Sequence, residues 1–244
     1  MDSLIRLKNN KSQKMDNEFD LFASDYQEKI NSSLSVFGQQ HDFFVSHKTR
    51  KLLQAFSEMG ELNKLKVIDV GCGIGLGHAE ISESVGELNG VDVSTESIEI
   101  AKSNNPKAYY ETYDGEKLPF ENNTFDCAYA ICVLHHVPKD KRQLFVDEMN
   151  RVLKPGGLMI VIEHNPLNPA TQWVVSTCEL DEHAILLSAW RLSRLFHHAK
   201  IQKIKTNYLL FTPFAQNFFR NLDELLRRIP FGAQYLIKGR KNTI

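Results

Sequence analysis

The chain has 244 residues, of which 42% are apolar and 24% are charged, and its formal net charge is −1. These values are typical of one soluble globular domain, and the first 15 residues lack the apolar region of a signal peptide. No stretch approaches the 18–20 apolar residues of a membrane span, and the four cysteines make no C-x-x-C pair, which argues against a disulfide framework. We therefore expect a cytoplasmic protein.

The first predicted elements are a flexible polar tail over residues 1–15 and a helical cap over residues 16–60, with a helical pattern beginning near Phe19. The next segment is the most informative in the chain. Four residues, Val67 to Val70, predict a buried strand, and glycines follow at alternate positions from Gly71 to Gly77. A helix predicted over residues 77–85 points its free N–H groups back at this turn, as in Rossmann-type nucleotide sites.

The glycine register separates two kinds of nucleotide site. A dinucleotide fingerprint requires G-x-G-x-x-G, but the third glycine would fall on Leu76 or on His78. The register therefore disfavours a nicotinamide-dependent oxidoreductase. The pattern present is D-x-G-x-G-x-G, from Asp69 to Gly75.

Later segments follow in a regular order. Strands are predicted over residues 88–93, 108–112, 125–131 and 158–163, and a helix over residues 139–154 is closed by Pro155-Gly156-Gly157. Asp92 ends the second strand about 20 residues after the glycine turn, where an acid can accept both ribose hydroxyls of a nucleoside.

The glycine motif, Asp92, the Tyr113-Asp114-Gly115 segment and the Arg-Val-Leu-Lys-Pro-Gly-Gly ending at Gly157 resemble, in order and spacing, the class I S-adenosylmethionine-dependent methyltransferases. The resemblance implies a Rossmann-like α/β fold with a seven-stranded, mostly parallel sheet of order 3-2-1-4-5-7-6, strand seven antiparallel, and helices on both faces. It implies S-adenosyl-L-methionine as cofactor, Asp114 at the adenine amino group and Tyr26 over the methionine end, although Tyr26 as a packing residue is equally compatible. The implied cofactor-binding residues are Tyr26, Asp69, Gly71, Cys72, Gly73, Gly75, Asp92, Val93, Asp114, Gly115 and Cys132.

Beyond a cofactor-binding core over residues 61–163, we expect an irregular lid over residues 164–190, because Pro166 and Pro169 disfavour a regular element. Residues 191–244 should supply strands over 204–211 and 234–240 and an amphipathic helix between them. The helix face predicts packing on the sheet or lid, with a lipid-docking or homodimer face as the alternative. Residues 191–244 carry a net charge of +9, whereas residues 1–190 carry −10. This asymmetry favours an anionic acceptor, and the alternative is that the charged side chains form solvated faces without a partner role.

Candidate catalytic residues follow strands four and five. His135 and His136 end strand four, and Glu163 and His164 end strand five, so both pairs should meet at one edge of the sheet. His136 is our first choice of general base, with His135 and Glu163 as further catalytic candidates. Structural histidines are an alternative. No metal is predicted, because the possible ligands His135, His136, Glu163 and His164 have no spacing signature. Asp181 and His183 have the character of solvated loop residues.

The sequence therefore predicts S-adenosylmethionine-dependent methyl transfer to a small-molecule acceptor, with an O or N nucleophile on a sugar, glycan precursor or other metabolite. The sugar or glycan class comes from resemblance alone. A regulatory module that binds the cofactor without turnover, and a lipid or quinone-like acceptor, are the alternatives. Nucleic acid is disfavoured as substrate, because Val133 to His136 stand where amino-methyltransferases of nucleic acids carry an acid-or-Asn-Pro-Pro-aromatic motif.

Overall fold

The computed structural model describes residues 41–181, 183–212 and 217–243. Strands and helices alternate along most of this part of the chain. The strands are β1 (Lys66–Val70), β2 (Glu87–Asp92), β3 (Tyr109–Thr112), β4 (Phe125–Ile131), β5 (Leu153–His164), β6 (Gln202–Leu209) and β7 (Gln234–Arg240). The α-helices are α1 (His41–Phe56), α2 (His78–Ser84), α3 (Thr95–Asn104), α4 (Arg142–Val152), α5 (Pro169–Thr177), α6 (Ala189–His198) and α7 (Asn217–Leu226).

All seven strands form one sheet in the order β3-β2-β1-β4-β5-β7-β6. The first five pair in parallel, whereas β7 is antiparallel to both β5 and β6. The predicted fold class, strand order and antiparallel seventh strand are confirmed. Because the order reverses between β1 and β4, the carboxyl ends of these central strands border the crevice in which open α/β sheets bind ligands.

The central strands are buried on both faces. Along β4, Ala128 and Ala130 belong to one apolar cluster, while Cys127 and Tyr129, which alternate with them, belong to the other. This alternation is the period of two that side chains follow along a strand. A near-continuous apolar strand is therefore what a sheet covered by helices on both faces requires.

Helices cover each face with an apolar stripe. On one face α4 contributes Phe145 and Met149 and α6 contributes Phe196, while on the other α1 contributes Leu52 and Phe56. Full burial of such side chains is worth ~1.5–3 kcal/mol each before the entropic cost of ordering the chain. These contacts fix the sheet and with it the loops at its carboxyl edge.

Strand β5 begins earlier than the sequence indicates. The predicted start was residue 158, but β5 runs from Leu153, directly after α4. Its register with β4 shifts between the pairs Phe125–Leu153 and Cys127–Leu158. Gly156 in this bulge has φ 77°, a conformation that glycine adopts without steric cost. The Pro-Gly-Gly segment is therefore a strand bulge and not only a helix stop.

The expectation that residues 164–190 have no regular structure is wrong, whereas their role as a lid stays a prediction. Helix α5 begins at Pro169, where a missing N–H costs nothing, and the Asn168 side chain caps it by accepting from the Thr171 N–H at 3.0 Å. A 3₁₀ turn follows at Glu179–Asp181. Helix α6, which the sequence analysis missed, begins after the cap Ser188 and buries Leu192 and Phe196.

Tyr26, the predicted tail and the start of the predicted cap lie outside the described residues. Helix α1 is the described part of that cap, and α7 is the described part of the C-terminal amphipathic helix. None of the helices in the described ranges combines the length and the apolar character that crossing a membrane requires.

Candidate functional site

The glycine turn after β1 is built by main-chain hydrogen bonds and one carboxylate. The N–H groups of Gly71 and Cys72 both donate to Val91 O, at 2.8 and 3.0 Å. Asp92 Oδ2 accepts from the Gly73 N–H at 2.8 Å, and its Oδ1 accepts from the Ser94 N–H at 3.0 Å. Asp92 thus holds the turn after β1 against the end of β2. Burial raises the pKa of Asp92, although the hydrogen bonds from Ser94 and Gly73 oppose the rise.

Space at this turn fits a bound nucleoside. Gly71, Gly73 and Gly75 all have positive φ, at 81°, 51° and 72°. A Cβ on Gly71 would lie 2.6 Å from Val133, whereas a Cβ on Gly73 would meet no described atom within 4 Å. The turn is therefore closed on the side of β4 and open at Gly73, beside the Asp92 carboxylate. An open main-chain cradle next to an acid suits the ribose and methionine portions of S-adenosylmethionine.

Asp69 faces inward from β1 and anchors the helix that follows the turn. Its Oδ2 lies 2.9 Å from His78 Nε2, and His78 Nδ1 lies 2.7 Å from the Tyr110 hydroxyl. The Tyr129 hydroxyl lies 3.2 Å from the same Nε2. This buried network ties β1, α2, β3 and β4 together beneath the glycine turn. In the sequence, His78 is notable only because it stands where a dinucleotide fingerprint requires glycine. Its structural role could not be predicted, because its partners come from distant strands.

The loops after β2 and β3 lie side by side. Tyr113 N–H donates to Asp92 O at 3.1 Å, and a Cβ on Gly115 would lie 3.3 Å from Val93. Asp114 is exposed, and its Oδ1 accepts from the Glu116 and Lys117 N–H groups, each at 2.9 Å. These bonds lower the Asp114 pKa, with that from Lys117 first. One Asp114 oxygen therefore shapes its own turn.

The two predicted cofactor cysteines lie at opposite sides of the turn. Cys72 is buried, and a Cβ on Gly90 would lie 3.0 Å from its Sγ, so its thiol packs over β2. Cys132 follows β4 with φ 56°, and its N–H donates to Ile162 O at 2.8 Å. Burial raises the pKa of both thiols.

Glu163 organises the loop after β4. It is fully buried near the end of β5, where Oε1 accepts from the N–H groups of Val133 and Leu134 at 3.0 and 2.7 Å. Its Oε2 lies 2.6 Å from His135 Nδ1. Both oxygens are thus engaged. Val133 also closes the glycine turn at Gly71. It therefore lies between the cofactor cradle, which is the glycine turn with Asp92, and the histidine loop, which carries His135 and His136.

Asp181 completes the cluster from the 3₁₀ turn after α5. Its Oδ1 lies 3.3 Å from His135 Nε2 and 3.3 Å from His136 Nε2. The rings of His135 and His136 have centroids 4.1 Å apart, and His164 lies 5.2 Å from His135. Two carboxylates and two imidazoles therefore alternate, from Glu163 through His135 and Asp181 to His136. The predicted meeting of His135, His136, Glu163 and His164 is confirmed as geometry.

Four hydrogen bonds fasten the segment after Asp181 to the loop of His135 and His136 and to β7. Ile185 N–H donates to His135 O at 2.8 Å, and the Arg142 guanidinium donates to Ile185 O at 2.7 Å and to Val137 O at 2.9 Å. The Tyr235 hydroxyl donates to Leu187 O at 2.6 Å. The prediction that Asp181 is a solvated loop residue is wrong, because these contacts hold its segment over the strand ends.

Charge within the cluster follows from burial and pairing. Burial alone would lower the His135 pKa, but the Glu163 and Asp181 carboxylates outweigh it and raise that pKa to about 10. At Glu163 and Asp181, burial would raise the pKa, but the interaction with His135 outweighs it and lowers the pKa of both carboxyls. Burial, reinforced by the His135 charge, lowers the pKa of His136 and brings that of His164 to about 4. His136 is the member with a partly exposed ring, at 20% of its side chain.

Comparison with known proteins places the central segment in a family. Residues 68–161 match the family model described as a methyltransferase domain. This segment is similar to methyltransferase domains. Together with the strand order above, the match supports the predicted resemblance to the class I S-adenosylmethionine-dependent methyltransferases.

Relatives of the methyltransferase domain act on different molecules, according to their names. A demethylmenaquinone methyltransferase of Lactococcus lactis is 36% identical over 153 residues, covering 59% of this chain and 56% of that protein. A sterol 4-C-methyltransferase of Caenorhabditis elegans is 37% identical over 103 residues, covering 39% of this chain and 30% of that protein. The chain spans about half the length, or less, of the first curated relatives it matches, from 30% to 56%.

A solved structure extends the likeness over most of the chain. A chain from the complex between the Haloferax volcanii Trm112 methyltransferase activator and a methyltransferase has a TM-score of 0.65 at 19% identity. The match covers 92% of this chain and 98% of that chain. At this level of identity the similarity shows the fold alone.

Proposed function

We propose that this chain transfers a methyl group from S-adenosylmethionine to a small-molecule acceptor bound beside His136. One observation supports this most strongly. Val133 closes the glycine turn at Gly71, and the loop that carries Val133 presents His135 and His136 directly afterwards. A cofactor cradle and a partly exposed imidazole thus share one loop, as transfer between adjacent ligands requires.

The chain's own residues bind and align the reactants. S-adenosylmethionine, when bound, supplies a methyl group on a positively charged sulfur that is already a good leaving group. Asp92 would accept the ribose hydroxyls while the Gly73 N–H holds its carboxylate in place, and Asp114 would accept from the adenine amino group. Alignment of this kind is worth ~7–11 kcal/mol of the barrier.

We assign activation of the acceptor to His136, with His135 and Glu163 as positioning residues. Both Glu163 oxygens and His135 Nδ1 are engaged with each other or with main chain. Neither side chain is therefore as accessible to a ligand as that of His136. His136 shares Asp181 with His135 and has a partly exposed ring. Preparing a hydroxyl or amine for attack by such a group typically contributes 10²–10⁴ in rate.

For the acceptor we propose an O or N nucleophile on a sugar, glycan precursor or other metabolite. The excess of Lys and Arg in residues 191–244 supports an anionic acceptor. A lipid or quinone-like acceptor is the second candidate. It is favoured by the names of the relatives and by two exposed apolar side chains. Trp173 lies on α5, and the carbonyl of Phe231 accepts from the Asn168 side chain that begins this helix. The lid region, a cytoplasmic location and a homodimer remain predictions.

Calorimetry with S-adenosylmethionine and S-adenosylhomocysteine tests the cofactor assignment. Loss of charge-assisted hydrogen bonds worth ~1.5–3 kcal/mol in Asp92→Ala should weaken binding roughly 10- to 150-fold. Glu111→Ala, which removes an exposed acid of the neighbouring strand β3, is the matched control and should bind normally. Equal affinity in both variants would remove Asp92 from the cofactor site.

Turnover assays then separate the acceptor classes. Formation of S-adenosylhomocysteine is measured with nucleotide sugars, simple glycosides and short-chain quinols. Cofactor binding without turnover on any of these classes would favour the regulatory module.

A further inference from the structure

The cluster of His135, His136 and Asp181 has the dimensions of a cation site. One possible ligand atom from each side chain lies within 4.8 Å of those of the other two. Each imidazole Nε2 is 3.3 Å from the same carboxylate oxygen. Direct bonds between a charged nitrogen and a carboxylate are shorter, at about 2.7–2.9 Å. By contrast, ligands bonded at about 2.0–2.1 Å to a tetrahedral ion stand about 3.3–3.4 Å from each other.

The surroundings of His135 match those of a metal-binding histidine. Imidazoles that bind metals usually donate their second nitrogen to a carboxylate, which fixes the ring and the tautomer. Glu163 Oε2 lies 2.6 Å from His135 Nδ1, so Nε2 is the nitrogen left for Asp181 and for an ion. Two main-chain N–H groups hold the other Glu163 oxygen, and Ile185 holds the His135 carbonyl. The ring is therefore oriented before any ligand arrives.

A third observation comes from the neighbouring strand β7. Gln234 is buried opposite His164, with its Nε2 at 3.4 Å from His164 Nδ1 and 3.5 Å from Cys132 Sγ. Within the described residues its side-chain oxygen has no hydrogen-bond partner. Buried polar atoms are nearly always satisfied by protein, water or a ligand. The buried Gln234 oxygen, next to the cluster residue His164, is thus able to accept a hydrogen bond from a ligand or water.

We propose that His135 Nε2, His136 Nε2 and Asp181 Oδ1 bind one divalent transition-metal ion of the zinc type. Two imidazoles with one carboxylate is the donor set of open zinc and non-haem iron sites, which leave positions for water or substrate. The inference rests on the proposed function and deepens it. An acceptor with a hydroxyl or enol oxygen would occupy the open position.

The chemistry of such a site balances without another reactant. Coordination lowers the pKa of a bound hydroxyl, which releases its proton to solvent. The oxygen then forms its bond to the methyl carbon as the carbon–sulfur bond breaks, and that electron pair stays on sulfur. His136 would in this case act as a ligand and not as a free general base.

Metal binding is tested directly on tag-free full-length protein. The protein is stripped with chelator and titrated with Zn²⁺ by calorimetry, and metal content is counted by mass spectrometry after gel filtration. We expect one tightly bound Zn²⁺ per chain. Co²⁺ should give the visible absorption of a four- or five-coordinate site with nitrogen and oxygen ligands.

Three variants locate the ion. His136→Ala and Asp181→Asn should each lower Zn²⁺ affinity by at least about 10–100-fold, the range found even for outer-sphere partners. His183→Ala, an exposed histidine two residues beyond Asp181, is the control and should bind normally. Absence of binding by the parent protein, or binding equally strong in all three variants, would overturn the proposal.

Cofactor affinity measured on the same samples keeps the two proposals apart. If S-adenosylmethionine binds and Zn²⁺ does not, the cluster is an ion-pair network and the methyltransferase proposal stands. If neither binds, both proposals are wrong.

Discussion

The cofactor cradle and the histidine cluster are built in different ways. The cradle lies between residues 69 and 92, and main-chain N–H groups, glycine conformations and one acid form it. The cluster consists of side chains from the loop after β4, the end of β5 and the turn after α5. Arg142 holds the segment that follows this turn by donating to Ile185 O. Local backbone geometry therefore builds the cradle, whereas side chains that are distant in the sequence build the cluster.

Replacing His136 should separate the two regions most sharply. In His136→Gln we expect turnover to fall ~10²–10⁴-fold, because the acceptor loses the group that activates it. The dissociation constant for S-adenosylmethionine should change little, because the ring lies against His135 and Asp181, whereas the glycine turn and Asp92 form the cradle. Steady-state kinetics and calorimetry on one preparation measure both quantities. Turnover within a few-fold of the parent would make the histidine structural.

Removing Glu163 should damage the fold as well as the site. Glu163→Ala leaves the charged His135 and two main-chain N–H groups without their buried acceptor. Breaking a buried pair in this way typically costs ~3–5 kcal/mol of stability. Urea unfolding followed by circular dichroism gives the change in unfolding free energy.

An acid in an ordinary setting supplies the control for Glu163. Glu87 on β2 pairs with Lys66 at 2.9 Å, and both side chains are 34% exposed. Glu87→Ala should cost no more than ~1 kcal/mol, because exposed pairs contribute little. Equal losses in the two variants would contradict the structural role that we assign to Glu163.

The same contrast explains what the sequence could predict. The core strands and the glycine turn follow from local patterns, and the sheet order follows from the resemblance to the class I methyltransferases, so both could be predicted before any coordinates. The role of Asp181 could not, because it depends on α5 beginning at Pro169 and on the fastening of Ile185 to His135. The structural role of His78 could not be predicted either, since its partners Asp69 and Tyr110 belong to two different strands. A capping Asn directly before a proline was the available signal for α5.

Acid should weaken cofactor binding through Asp92. Burial raises the pKa of this carboxyl above its ordinary value, and the ionised form is the one that accepts ribose hydroxyls. Affinity for S-adenosylmethionine should therefore fall as the pH drops through the raised Asp92 pKa, before ordinary carboxyls titrate. Calorimetry across pH 4–8 follows it. Asp92→Asn should bind more weakly and without this dependence, and an unchanged acid limb in that variant would assign the limb to another group.

The smallest expected effect compares one helix cap from each region. Ser94 caps α3 beside the cradle and accepts from the Ser97 N–H at 3.1 Å, whereas Ser188 caps α6 beside the cluster and accepts from the Arg191 N–H at 3.5 Å. Loss of a serine cap typically costs ~0.5–2 kcal/mol, and the shorter, buried bond should be worth more. We expect Ser94→Ala to lower the unfolding free energy by about 1 kcal/mol and Ser188→Ala by less, both measured by urea unfolding. Ser94 also receives its position from Asp92, so cofactor affinity should decline slightly in Ser94→Ala and stay constant in Ser188→Ala. The reverse order of affinities would show that the cradle does not depend on the local hydrogen bonds from which it is built.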